Sequence, residues 1–143
     1  MQLDGHCHCG NIALTLVVEP APTEIPARVC GCSFCLQHGC VWTALPNGQL
    51  NIAIAHPDEV HPYSFETRTA QFHVCRICGV VPYVTSTMAG REYAVVNVNC
   101  LQDVAPQMLN RTPAAFDGEG EGARLARRAR HWIADVRYGR RSD

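Results

Sequence analysis

Seven of the nine cysteines fall into three tight groups, and thiols at such spacing carry metal or redox chemistry. The groups are Cys7 and Cys9 in "GHCHCG", Cys30, Cys32 and Cys35 in "CGCSFC", and Cys75 and Cys78 in "CRICG". A gap of one or two residues lets a tight turn aim two thiolates at one ion. A glycine after the pair lets that turn close without a Cβ clash. Zinc favours four such ligands in a tetrahedron. Seven sulfurs make one closed set of four, which is structural, and one open set of three. The open set keeps a position for water or a substrate atom, as catalytic zinc requires. Joining Cys7 and Cys9 to Cys75 and Cys78 would staple the N-terminal strand to the middle of the chain and leave Cys30, Cys32 and Cys35 as the open triad. Spacing equally allows a local site of Cys30, Cys32, Cys35 and Cys40, or one completed by His38. Cys32 and Cys35 also have the spacing of a redox pair, but Cys30 beside them makes metal binding the better account.

The elements that must position these groups read as short strands. In "NIALTLVVE" (11–19), Ile12, Leu14, Leu16 and Val18 alternate on one face, the pattern of a half-buried strand. The prolines of "EPAPTEIP" make a loop. "ARVC" leads as a strand into the second cysteine group. Further strands follow at "CVWTAL" (40–45), "NIAIA" (51–55), "YSFET" (63–67), "AQFHV" (70–74), "PYVTSTM" and "EYAVVNVNCL". The expectation is a mainly β domain of small sheets over residues 1–118. "QDVAPQMLNRTPAAFDG" reads as irregular. "GEGEG" (118–122) reads as a hinge, and "ARLARRARHWIADVRY" as a C-terminal helix, together forming a 119–143 tail. Leu125, Ala129, Trp132, Ile133 and Val136 make its apolar stripe, with the arginines mostly opposite.

The chain has 143 residues, 47% of them apolar, which fits one globular domain with a real core. "MQLDGHCHCG" has neither the basic start nor the apolar stretch of a signal peptide, and no run reaches the roughly 18 apolar residues of a membrane helix. The expectation is a cytoplasmic protein, whose thiols stay reduced rather than forming a disulfide framework. Net charge is −1, yet residues 124–143 hold seven of the twelve arginines and two acids. The favoured expectation is a helix docked on its own domain or, in a homo-oligomer, on a second copy; the alternatives are a nucleic-acid contact and a frayed end. The near-neutral total argues against nucleic acid as a partner. Cys40 and Cys100 read as small buried hydrophobes, Trp42 as core or pocket wall, and Asn97 and Asn99 as strand-edge hydrogen-bonding groups. His38 reads as an exposed loop residue, His6 and His8 as groups flanking the first cysteines, and His73 as packing.

In their order, "GHCHCG", "CGCSFC" and "FHVCRICG" resemble the glutathione-dependent formaldehyde-activating enzyme family, which also contains centromere protein V. Trp42, "VNVNCL" and "FDG" near residue 117 are similar to family features, and the resemblance spans about residues 4–118. It implies a β-tent of small antiparallel sheets joined by zinc, with two zincs per chain. One would be structural on Cys7, Cys9, Cys75 and Cys78. The other would sit on Cys30, Cys32 and Cys35, which then serve catalysis as ligands of an open zinc. The implied reaction adds formaldehyde to the glutathione thiol, giving S-(hydroxymethyl)glutathione; formally it is a carbon–sulfur lyase run in reverse. The alternative function is a non-catalytic zinc-stapled module that binds a protein or nucleic acid.

Overall fold

The structure is a computed structural model that describes residues 1–116 and 118–139, so the "FDG" feature at Asp117 lies outside the described residues. In chain order the strands are β1 (Gln2–His6), β2 (Ile12–Val18), β3 (Ile25–Cys30), β4 (Val41–Thr43), β5 (Gly48–Ile54), β6 (Val60–Tyr63), β7 (Gln71–Cys75), β8 (Tyr83–Met88), β9 (Arg91–Asn97), β10 (Leu109–Ala114) and β11 (Asp135–Tyr138). Helix α1 (Ser33–His38) lies between β3 and β4, and α2 (Glu121–His131) between β10 and β11. The fold is mainly β, as its sequence pattern requires. One sheet has the order β1-β2-β5-β11 and the other β10-β3-β4-β9-β8-β7-β6. Neighbours run antiparallel except β10 on β3 and β11 on β5, where parallel strands close one edge of each sheet.

The alternation in β2 produces what it predicts. Ile12, Leu14, Leu16 and Val18 are buried, and Leu14 and Leu16 sit opposite Ile52 and Leu50 of β5. These side chains meet Tyr83, Ala94 and Val96 from the larger sheet, so the main core lies between the two sheets. The other face of the larger sheet is also covered. Val84 and Val95 pack there with Cys35, Trp42 and Trp132 in a second core. Successive residues of a strand point to opposite faces. The run Ala94, Val95, Val96 therefore serves both cores in turn, which explains why "YAVV" is apolar without a break.

Two close approaches tie the parts together. Gly5 bridges to Leu101, and a Cβ at Gly5 would come within 2.5 Å of the Cys100 carbonyl oxygen, so the first cysteine motif begins with the one residue that fits. Ile133 bridges to Ala94 and is fully buried.

Several expectations need correction. Residues 64–69 form a turn rather than a strand, with Glu66 and Arg68 in the left-handed region; the strand precedes them as β6. The irregular stretch contains β10, whose pairing with β3 comes from register and not from an apolar pattern. The C-terminal helix is present but ends at His131, because Ile133 pairs with Ala94 and Asp135–Tyr138 add to β5. Its one buried residue is Arg128, while Ala129 is exposed. Arg124, Arg127 and Arg128, at helical spacings of three and four, face the domain instead of the solvent. No described helix is long and apolar enough to cross a membrane.

Candidate metal centres

The first and third cysteine groups meet. β1 delivers Cys7 and the turn after it Cys9; β7 ends on Cys75 and the following turn supplies Cys78. All four sulfurs lie within 4.8 Å of one another. Cys7 and Cys9 sulfurs are 3.7 Å apart, and Cys9 and Cys75 sulfurs 3.5 Å. A tetrahedron with metal–sulfur bonds of about 2.3 Å has edges of roughly 3.8 Å, so the donor set fits a single zinc-sized ion. Each turn is fastened by its backbone. Gly10 N–H donates to the Cys7 carbonyl at 3.0 Å, and Gly79 N–H to the Cys75 carbonyl at 2.8 Å. Both glycines have positive φ, 85° and 82°. At Gly79 no atom lies close enough to clash with a Cβ, so the left-handed backbone, and not the expected shortage of space, requires glycine there.

The second group forms its own cluster, with the sulfurs of Cys30, Cys32 and Cys35 within 4.8 Å of one another. β3 ends on Cys30, where Gly31 N–H donates to the Ala114 carbonyl of β10 at 2.9 Å. Cys32 caps α1, its sulfur accepting from Cys35 N–H at 3.4 Å. Cys35 is buried, and the Trp42 indole N–H donates to its sulfur at 3.3 Å. Cys40 is buried beside Cys35 but stands outside the cluster, and His38 stacks on the Phe34 ring at 4.5 Å.

The electrostatics of both clusters fit a cation. Burial pushes the Cys7 thiol up to about 12. Burial also opposes ionisation of Cys78, but the N–H groups of Val80 and Cys9 and the thiols of Cys75 and Cys7 pull it down to about 6. Cys30 is raised by its hydrogen bond with Cys35 and by burial; Cys32 is raised by burial. The contact with Cys30 lowers Cys35, but Cys40 and burial raise it on balance. Several crowded thiolates are thus unfavourable alone and become favourable once a metal ion shares the site.

A cavity of about 860 Å³, its open mouth included, adjoins the three-cysteine cluster, and all three cysteines line it. Its apolar wall is Trp42, Phe72, Val84, Val95 and Trp132, and its rim carries Arg28, Arg124, Arg127 and Arg128. None of Cys7, Cys9, Cys75 and Cys78 lines this cavity. Sequence reasoning missed the arginine side of the cavity. The available signal was the spacing of Arg124, Arg127 and Arg128, which puts three guanidiniums on one helix face.

The remaining polar candidates serve the scaffold. His73 stacks on Tyr83 at 4.2 Å, its Nε2 lies 2.7 Å from Thr85 Oγ1, and burial lowers it to about 4. His6 Nδ1 lies 2.6 Å from the Cys7 carbonyl, and His8 is exposed. Asn97 donates to the Val81 carbonyl, and Asn99 to that of Gly39. Cys100 is buried.

The chain belongs to the glutathione-dependent formaldehyde-activating enzyme family, whose model matches residues 2–116. It is also similar to a Rhodobacter sphaeroides protein of known crystal structure. The two are 30% identical, with a TM-score of 0.56, over 77% of this chain and 97% of the other. No curated protein matches the chain. Helix α2 and its arginines lie beyond the family match.

Proposed function

We propose that this protein joins a thiol, glutathione or a related one, to formaldehyde or a similar aldehyde, forming or cleaving a thiohemiacetal. Cys7, Cys9, Cys75 and Cys78 hold a structural zinc in this reading, and Cys30, Cys32 and Cys35 hold a second zinc with one position open. The observation that carries it is three clustered thiols lining a cavity, in a chain of this family. Bound zinc would supply Lewis acidity, favouring the thiolate of an incoming thiol or polarising a carbonyl. In the reaction the S–H adds across C=O. A sulfur–carbon bond forms, the carbon–oxygen π bond breaks, and the proton moves from sulfur to oxygen; nothing is oxidised.

The chain's own residues hold the geometry. The Trp42 N–H fixes the Cys35 sulfur, and the cap at Cys32 fixes the start of α1. The wall of Trp42, Phe72 and Trp132 displaces water from a bound substrate and limits its orientations. Among the described residues, the one carboxylate lining the cavity is Glu66, which pairs with Arg124 at 3.2 Å.

The test is Cys32→Ser. Metal content should fall from two zincs per chain to one, and formation of S-(hydroxymethyl)glutathione, followed by NMR with labelled formaldehyde, should drop to the uncatalysed rate. A variant that keeps both metals and the activity ends this reading.

A further inference from the structure

Four guanidiniums surround the cavity, and the described carboxylates near them are two. Glu119 receives Arg127 through two nitrogens, at 3.1–3.3 Å, and lies 3.5 Å from Arg124. Glu66 receives Arg124. Arg28 and Arg128 have no carboxylate partner among the described residues. Arg128 is the more telling, being only 7% exposed. Its Nη1 donates to two neutral hydroxyls, Thr69 Oγ1 at 2.8 Å and Ser86 Oγ at 3.1 Å, and its Nε has no partner among the described residues. The guanidinium also lies 5.1 Å from the Trp132 ring, which cannot neutralise it. Burial and the neighbouring Arg127 and Arg124 lower its pKa to about 10, with Glu119 opposing them only at a distance and without a direct contact, so it stays charged at neutral pH. A buried cation without a counterion is costly, and it is most simply offset by an anion that arrives with a ligand.

We propose that this cavity takes an organic carboxylate, its charged end against Arg128 and Arg28 and its apolar body along Trp42, Phe72 and Trp132. The proposal rests on the reading that the reacting thiol or carbonyl sits at the cysteine triad, and it names the class of molecule that carries it. A guanidinium is a planar, permanently charged donor that a carboxylate's two oxygens match, and Arg28 and Arg128 both line the cavity. Both described carboxylates near these arginines are engaged by arginine, so the described charges favour an anionic end on the ligand. Helix α2 is thereby the specificity element, added to the family core from outside the matched region.

The chain has two tryptophans, and both line the cavity, so intrinsic fluorescence reports occupancy without turnover. The zinc-loaded full chain is titrated with 3-phenylpropionate and with 3-phenylpropan-1-ol, which share a body and differ in charge. The acid should bind about tenfold tighter or more, as a charge-assisted hydrogen-bonded pair predicts. Arg128→Met should remove that preference while leaving the alcohol's affinity within about twofold, and Arg128→Lys should restore part of it; a purely structural arginine would weaken both probes alike. Arg28→Met should reduce the preference in a background where Arg128 is intact, which keeps the test decisive if Arg128→Met does not fold. Equal affinities in the wild type, no quenching by the acid, or a preference that survives both methionine variants overturns the proposal. Because binding alone is read, a failure here is separate from a failure of the aldehyde chemistry, which Cys32→Ser tests.

Discussion

The two cysteine clusters occupy opposite faces of the seven-stranded sheet, and they differ in almost every physical respect. Cys7 and Cys75 are embedded in the core between the sheets, and their cluster joins the two sheets through paired turns. Cys35 belongs to the second core, and its cluster draws all three sulfurs from one stretch of chain beside a cavity. Four ligands from two distant segments constrain topology. Three ligands from one segment constrain only a local turn and leave room for chemistry. On the proposed reading, ligand count and sequence separation together divide the work between holding the fold and presenting a site.

The strongest way to break this comparison is to treat both clusters alike. Cys75→Ser should leave the chain unfolded, because a structural zinc contributes on the order of 10 kcal/mol, comparable with the whole stability of a small domain. Cys32→Ser should melt cooperatively with native circular dichroism. If the two variants unfold to the same degree, the division of labour is wrong. A smaller effect comes from the turn that closes the third motif. Gly79→Ala forces a Cβ onto a backbone at φ 82° and should cost about 1–2 kcal/mol, read as a lower denaturant midpoint with an unchanged slope. Trp42→Phe removes the N–H donor to Cys35 and should cost about 1 kcal/mol of stability while weakening metal retention at the triad alone. A loss of metal from the four-cysteine cluster in that variant would show the two sites are coupled through the sheet.

The smallest expected effect concerns α2. Its contact with Arg127 holds the Glu119 carboxyl below the usual 4.5. The stabilisation is therefore full above that value and is lost as the pH falls through the lowered one. Glu119→Gln should cost under about 1 kcal/mol at neutral pH, and wild type and variant should converge in acid, a comparison read from paired melting curves. It sharpens the contrast by asking how much this ion pair contributes to holding α2 against the cavity.

The strand pattern was legible wherever burial imposed a period. β2 shows this most clearly, with Ile12, Leu14, Leu16 and Val18 all inward. β10 was not, because Leu109–Ala114 is mostly exposed, includes Pro113, and owes its form to pairing with β3 at a sheet edge. α1 is only six residues long, too short to show a helical period. In the tail the helical stripe through Trp132, Ile133 and Val136 was a true periodicity in the sequence, overridden by pairing with Ala94 and β5. Among the chemical groups, the cysteines announced themselves by spacing. The arginines did not, since a charged helix face is ordinarily turned to water.

One strand, β9, gives Ala94 and Val96 to the core that holds the four-cysteine cluster and Val95 to the core beside the cavity. Its odd and even positions therefore answer to different selective demands. A lineage can resize the Val95 side to suit a new substrate while the Ala94 and Val96 side stays fixed. Such a partition makes the domain a scaffold on which preference for new ligands can evolve by single substitutions, without first weakening what holds the molecule together.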